Sequence, residues 1–235
     1  MEKLFLLLFT LFFISCGSSN NDIQSNKKEL LIPAYFYDEN LWDKLENLKR
    51  GIIIVNPNNG PGDTIDTNYV QRIDTLNKNS QIPVGYVYTK WGARNLNEVK
   101  NDINKWIDMY NIKGFFIDEA ANNEGNLSYY KNLYEYIKSK GKYFVVLNPG
   151  CETNEEYYNY ADIIVIFEDK FKNLNSDVCN KMQKNSAIII YDANQSDMEQ
   201  VMKVKCKYIY VTDDNGVNPY DSLPSYITKE INLLK

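Results

Sequence analysis

Carboxylates directly follow two strongly apolar segments of this chain. Asp118 and Glu119 follow the segment Gly-Phe-Phe-Ile at residues 114–117, and Glu168 follows Ile-Ile-Val-Ile-Phe at residues 163–167. Two neighbouring carboxyl groups can supply a general acid together with a nucleophile or a general base, which are the groups that hydrolysis of a glycosidic bond requires. Asp118, Glu119 and Glu168 are therefore the candidate catalytic residues.

The three acids receive different predicted roles. Adjacent side chains of a regular strand point to opposite faces, so we expect one of Asp118 and Glu119 to face a cleft and the other to support it, unless the strand breaks between them. The structural alternative is an acid at the start of a helix. We assign Asp118 as the nucleophile and Glu168 as the general acid/base, with Glu119 supporting the charge or exchanging roles with Asp118.

The composition excludes several other kinds of chemistry. The 235 residues contain no histidine, so Ser-His-Asp and Cys-His catalysis and His-ligated zinc are excluded. Acid–base chemistry is left to carboxylates, Tyr, Lys or Cys. The formal net charge is -5 and no basic stretch recurs along the chain, so the sequence predicts no nucleic-acid partner.

Short apolar segments alternate with longer amphipathic ones, which predicts a single-domain α/β fold of the (β/α)8, TIM-barrel type. The eight predicted strands are residues 30–36, 51–56, 82–88, 114–118, 143–148, 163–168, 187–191 and 208–212. The predicted helices are residues 97–110 and 127–140, with 69–77, 155–160, 198–205 and 224–234 filling other positions. An open doubly wound sheet is the rival fold, and the absence of G-x-G-x-x-G after the first strand disfavours it.

A barrel of this kind forms its working face at the carboxyl ends of the strands. The predicted substrate-binding residues there are Tyr35, Asn56, Tyr86, Asn148 and Asp213. Aromatic rings offer flat apolar faces, and amides and acids bind hydroxyl groups, so this set favours a carbohydrate cleft. The two acidic segments are the fourth and sixth strands, which predicts carboxyl groups about 5–6 Å apart, as in retaining glycosidases, although an inverting spacing stays open.

The first residues are typical of a bacterial lipoprotein signal. An apolar run at residues 4–14 is too short to span a bilayer, and Ser15-Cys16-Gly17 follows it. We predict a signal peptide at 1–15, a lipidated Cys16 with a flexible tether over 16–29, and the barrel over 30–235. This predicts a protein held in the cell envelope by a lipid anchor. The alternative is an ordinary cleaved signal with an incidental cysteine.

The remaining cysteines give no pairing pattern. Cys151, Cys179 and Cys206 lie far apart, and an odd number cannot pair completely within one chain. We interpret them as small buried hydrophobic residues.

Six ordered segments resemble the spherulation-specific family 4 proteins. They are residues 55–62, 84–89, 92–94, 114–119, 147–150 and 166–168, and residues 31–37 with Trp42 match the family's opening. The resemblance spans residues 30–214 and implies a (β/α)8 barrel of glycoside hydrolase family 135. It also implies endo-acting, retaining cleavage of α-1,4-linked N-acetylgalactosamine in galactosamine exopolysaccharides, without a metal or an organic cofactor. The family's functional acids correspond to Asp118, Glu119 and Glu168.

One departure and two alternatives stay open. Lys90-Trp91 stands where the family has an acidic residue followed by Tyr, which leaves the subsite preference undecided. The alternatives are a hydrolase of another α-galactoside polymer and a catalytically silent glycan-binding surface lipoprotein. Retention of all three acids favours an enzyme, and we expect a monomer with a polysaccharide substrate.

Overall fold

The computed structural model describes residues 27–180 and 185–234, and these form one closed barrel of eight parallel strands. Each strand pairs with the next along the chain, and β8 pairs back to β1. The strands are β1 Glu29–Ala34, β2 Ile52–Val55, β3 Ile82–Tyr88, β4 Gly114–Asp118, β5 Phe144–Leu147, β6 Ile163–Lys170, β7 Ser186–Tyr191 and β8 Tyr208–Val211. The predicted single-domain (β/α)8 barrel is confirmed, and every strand lies within two residues of its predicted bounds.

Six α-helices surround the barrel in the described part of the chain. They are α1 Glu39–Asn47, α2 Thr67–Lys78, α3 Leu96–Met109, α4 Leu127–Lys140, α5 Gln195–Val201 and α6 Ile227–Leu233. Residues Glu155–Tyr160, predicted as a helix, form a 3-10 helix, and short 3-10 turns also lie at Glu124–Asn126 and Phe171–Asn173.

Helix α1 was not predicted from the sequence. Its N-cap Asp38 accepts hydrogen bonds from the backbone N–H groups of Asn40 and Leu41, and it buries Trp42 and Leu45 against the barrel. With nine residues, it shows too few turns for a clear helical period.

Close packing between α3 and β3 fixes the strand that carries Tyr86. A Cβ atom on Gly85 would lie only 2.5 Å from the Trp106 ring, so the glycine lets the indole sit directly against the strand. The indole N–H of Trp106 donates a hydrogen bond of 2.9 Å to the carbonyl of Tyr86. This contact holds the end of β3 in place beside β4.

The predicted signal peptide 1–15 and Cys16 lie outside the described residues. The end of the predicted tether belongs to the barrel, because β1 begins at Glu29 and the Lys28 ammonium group donates a hydrogen bond of 3.1 Å to the carbonyl of Cys206. Glu29 also forms an ion pair with Arg50. No helix within residues 27–180 and 185–234 is long and apolar enough to cross a membrane.

The interpretation of the cysteines as small buried residues is confirmed for Cys179 and Cys206, which are 9% and 2% exposed, and is wrong for Cys151. Cys179 and Cys206 form a disulfide, with their Cα atoms 5.2 Å apart, and Cys151 is exposed rather than buried. The pair is separated by 27 residues. Only the return of the chain through β7 and α5 brings them together, which the spacing in the sequence does not reveal.

Candidate active site

Three neighbouring strands present the residues that form the centre of the candidate site. Asp118 is the last residue of β4, Asn148 directly follows β5, and Glu168 lies in β6. The backbone N–H of Glu168 donates a hydrogen bond of 3.0 Å to the carbonyl of Gly150, in the turn that also holds Asn148. The barrel therefore brings two acids that are 50 residues apart in the sequence to the two sides of one amide.

The side chain of Asn148 joins the two acids directly. Its Nδ2 donates hydrogen bonds to Asp118 Oδ1 at 2.7 Å and to Glu168 Oε2 at 2.5 Å. Since both bonds start from one nitrogen, the sum of 2.7 and 2.5 Å limits the separation of these oxygens to 5.2 Å. Asn148 Oδ1 accepts the N–H of Gly150 at 3.1 Å, which directs the amino group of the side chain to the carboxylates.

Three tyrosines surround the acid pair. Tyr86 forms a hydrogen bond with Asp118, and the Tyr220 hydroxyl donates one of 2.5 Å to Glu168 Oε1. The Tyr35 ring lies between them, with its centroid 5.8 Å from both other rings and nearly perpendicular to each. Edge-to-face contacts of this kind fix the rings and so the positions of the hydroxyl donors.

The electrostatic setting favours uptake of a proton by the pair. Burial raises the pKa of Asp118, and hydrogen bonds from the Glu119 backbone, Tyr86 and Asn148 oppose this rise. Burial also raises the pKa of Glu168, and repulsion by Asp118 raises it further, against hydrogen bonds from Tyr220 and Asn148. Burial thus raises the pKa of both acids, and their mutual repulsion favours a state in which the pair holds one proton and one negative charge.

The strand breaks between Asp118 and Glu119. Strand β4 ends at Asp118, and Glu119 has a φ of 49°, in the left-handed region. The two side chains therefore need not point to opposite faces, which is the exception that the sequence left open. The Glu119 carbonyl accepts hydrogen bonds from the N–H of Trp91 and the hydroxyl of Thr89, at 2.6 and 2.9 Å.

Two predicted substrate-binding residues have structural contacts instead of contacts with the acids. Asn56 Oδ1 accepts the N–H of Gly60 at 2.9 Å, which closes the loop after β2. Asp213 is exposed and accepts hydrogen bonds from the N–H and hydroxyl groups of Ser225. The structure thus brings Tyr35, Tyr86 and Asn148 to the acid pair, while Asn56 and Asp213 support loops at the same end of the barrel.

Sequence reasoning missed Tyr220. It lies in a loop nine residues beyond the end of β8, and so is not one of the residues that end a strand. The loop returns to the mouth because the N–H of Tyr35 donates a hydrogen bond of 3.1 Å to the carbonyl of Tyr220. No local signal in Asn-Pro-Tyr-Asp reports this long-range contact.

A surface depression of about 450 Å³ adjoins the loop after β2 and does not include the acid pair. Tyr37 and Tyr110 line it together with residues of this loop. Within residues 27–180 and 185–234, no group of three or more Cys, Asp or Glu side chains could hold a metal ion.

Comparison with known proteins assigns the family. The model of spherulation-specific family 4 matches residues 29–234. Spherulin-4 of Physarum polycephalum is 33% identical over 227 residues, covering 86% of this chain and 68% of the relative. The chain belongs to spherulation-specific family 4. The resemblance seen in the sequence is thereby confirmed.

Solved structures share the barrel fold of this family member. Sph3 of Aspergillus clavatus, crystallised in complex with GalNAc, superposes with a TM-score of 0.78 at 23% identity, covering 88% of this chain and 97% of that one. A chitinase of Rhizomucor miehei, RmChi1, gives a TM-score of 0.53 at 8% identity, with coverage of 88% and 98%. At these identities the likeness concerns the fold.

Proposed function

We propose that this protein is a retaining glycoside hydrolase that cleaves within polymers of α-1,4-linked N-acetylgalactosamine and galactosamine. The observation that carries the proposal is the amide of Asn148, which holds Asp118 Oδ1 and Glu168 Oε2 no more than 5.2 Å apart, the sum of its 2.7 and 2.5 Å bonds. Retaining enzymes place their two carboxyl groups about 5–5.5 Å apart, whereas inverting enzymes leave about 6.5–9.5 Å for a water molecule.

The residues around the pair support a double displacement. Glu168, whose pKa is raised, donates its proton to the glycosidic oxygen as the bond to the anomeric carbon breaks. Asp118 attacks that carbon and forms a glycosyl ester. Glu168, now charged, then takes a proton from water, and the water oxygen replaces Asp118 at the anomeric carbon. Two inversions give net retention. Asn148 stabilises whichever carboxylate is charged, and Tyr220 stabilises Glu168 when it is charged.

The identity of the sugar is supported by family membership and by the neighbouring structure. Sph3, which shares the fold, was crystallised with GalNAc. In this chain, tyrosine rings and an amide surround the acid pair, and these groups suit the apolar faces and hydroxyls of a sugar ring.

The test is incubation of the purified protein with α-1,4-linked N-acetylgalactosamine polymers, acetylated fully or in part, followed by mass analysis of released oligosaccharides. We expect oligosaccharides from internal cleavage, and nuclear magnetic resonance of fresh products should show the α-anomer first. Initial release of the β-anomer would overturn retention. If the polymer binds to the protein but is not cleaved, the protein is a glycan-binding protein and not an enzyme.

We also propose that Cys16 carries a lipid anchor, as Ser15-Cys16-Gly17 after the apolar run suggests. Expression in a bacterial host should place the protein in the detergent phase, and Cys16→Ala should leave it unprocessed or move it to the aqueous phase. Equal partitioning of both forms would contradict the anchor.

A further inference from the structure

Trp91 is the exposed tryptophan of this chain. It is 63% exposed, whereas Trp42 and Trp106 are 3% and 0% exposed. It lies in the loop between β3 and α3, at the end of the barrel where the acid pair lies. Because most of the indole is exposed, its face is accessible to a ligand at this end of the barrel.

The backbone around Trp91 is held in an unfavourable conformation. Lys90, Trp91 and Gly92 have φ angles of 48°, 52° and 81°, all in the left-handed region. A bulky residue rarely adopts positive φ, and such strain persists only where the surroundings enforce it. Strain of this kind clusters at ligand-binding positions.

Hydrogen bonds hold this loop against the loop after β4. The N–H of Trp91 donates to the carbonyl of Glu119 at 2.6 Å, and the buried Thr89 hydroxyl donates to the same carbonyl at 2.9 Å. The Tyr130 hydroxyl contacts Thr89 Oγ1 at 3.0 Å and accepts the N–H of Ala121 at 2.7 Å. The Trp91 backbone is thus fixed to the residue that follows the proposed nucleophile.

We propose that Trp91 is a platform on which the substrate polymer stacks a sugar ring adjacent to the ring at the acid pair. The flat indole face suits the C–H face of a pyranose ring, and a loop that is already ordered loses little freedom when the sugar binds. The class of ligand rests on the proposed function, and the inference adds the residue that holds a neighbouring unit of the polymer.

Kinetics on α-1,4-linked N-acetylgalactosamine oligosaccharides test the role of the ring. Trp91→Asn removes it while keeping a residue that tolerates positive φ, so the loop should persist. We expect KM to rise about 3–10-fold with kcat little changed, and Trp91→Phe to restore most of the affinity. Phe144→Ala removes a ring that is 41% exposed at the opposite end of the barrel and should leave KM unchanged.

Tryptophan fluorescence separates this inference from the hydrolase proposal. Iodide should quench Trp91 selectively, and the same oligosaccharides should protect it in Glu168→Gln, which does not consume them. If the oligosaccharides protect Trp91 from iodide but the wild type does not cleave them, the platform stands and the hydrolase proposal is overturned. If the wild type cleaves the oligosaccharides but they do not protect Trp91 from iodide, and Trp91→Asn has the wild-type KM, the hydrolase proposal stands and the platform is overturned. Neither protection nor cleavage would overturn both.

Discussion

The hydroxyl of Tyr220 donates a hydrogen bond of 2.5 Å to Oε1 of Glu168, which lies 52 residues earlier in the chain. Burial and the neighbouring Glu168 raise the pKa of Tyr220 far above its usual value, so the phenol stays protonated and remains a donor. Because this bond favours the charged form of Glu168, it opposes the effects of burial and of Asp118 on the Glu168 pKa. The loop after β8 therefore adjusts the proton affinity of an acid on β6.

Tyr220→Phe should move the pH profile of activity. Removing the donor raises the pKa of Glu168 further, so the alkaline limb of kcat/KM, where the general acid loses its proton, should shift to higher pH. Tyr226→Phe is the matched control in the same loop, because its hydroxyl donates to the carbonyl of Ala193 instead. A limb that moves to lower pH in Tyr220→Phe would show that Glu168 is not the acid.

Asp118→Asn and Glu168→Gln should each abolish most turnover. Both substitutions keep the volume of the side chain and remove charge or proton transfer, so each should lower kcat at least ~10²-fold. Glu119→Gln should be milder. If Glu119→Gln were inactive and Asp118→Asn active, the roles of these neighbours would be exchanged. Wild-type turnover in both Asp118→Asn and Glu168→Gln would contradict the two-carboxylate mechanism.

Asn148→Asp tests the amide that joins the acids. The substitution keeps an acceptor for the N–H of Gly150 but replaces the donor to Asp118 and Glu168 with a third carboxylate. Repulsion should raise the pKa values of the pair, and we expect kcat/KM at pH 7 to fall at least ~10²-fold. Circular dichroism and the melting temperature establish that the barrel is intact. Activity equal to wild type would show that the bridge has no role in the chemistry.

Glu230 should make stability depend on pH. It is fully buried in α6, with Oε1 accepting the N–H of Val211 and Oε2 without a partner in the described residues, and burial raises its pKa well above the usual value. The pKa of Glu230 is higher in the folded than in the unfolded protein. Its contribution to the free energy of unfolding is therefore complete below the unfolded pKa. It is lost as the pH rises towards the folded pKa, by about 1.4 kcal/mol per pH unit.

Glu230→Gln should flatten that dependence, because the amide cannot ionise. Urea unfolding at several pH values above 4.5 measures the slope, and the exposed Glu135→Gln in α4 is the control that should leave it unchanged. A steeper fall of stability with pH in Glu230→Gln would contradict the assignment.

The strands could be predicted because their sequences carry the signal themselves. Segments such as residues 114–117 are continuous apolar runs, as expected for strands buried on both faces. Two of the eight strands have the predicted bounds at both ends. Helix α1 was missed because a nine-residue element shows little periodicity. The 3-10 helix at Glu155–Tyr160 was predicted in place but not in type, since i+3 and i+4 spacing are alike over six residues.

The sequence predicted only those residues of the site whose positions follow from the order of the strands. Asp118 ends β4, Asn148 directly follows β5 and Glu168 lies two residues before the end of β6, so the order of consecutive strands brings them together. The contact of Tyr220 depends on the path of a loop. A bulge between Val165 and Phe167 in β6 also shifts the alternation of side chains just before Glu168, and no residue type in that segment signals it.

The link between Cys179 and Cys206 makes the stability of this chain depend on its redox surroundings. It closes a loop of 27 residues that contains β7 and α5, and such a closure is worth about 3–4 kcal/mol in loop entropy. Glutathione and thioredoxin keep such thiols reduced in most cytosols. Protein made there would keep Cys179 and Cys206 as thiols beside the exposed Cys151, and a mispaired disulfide could form on later oxidation. Production in an oxidising compartment should therefore yield more correctly folded protein.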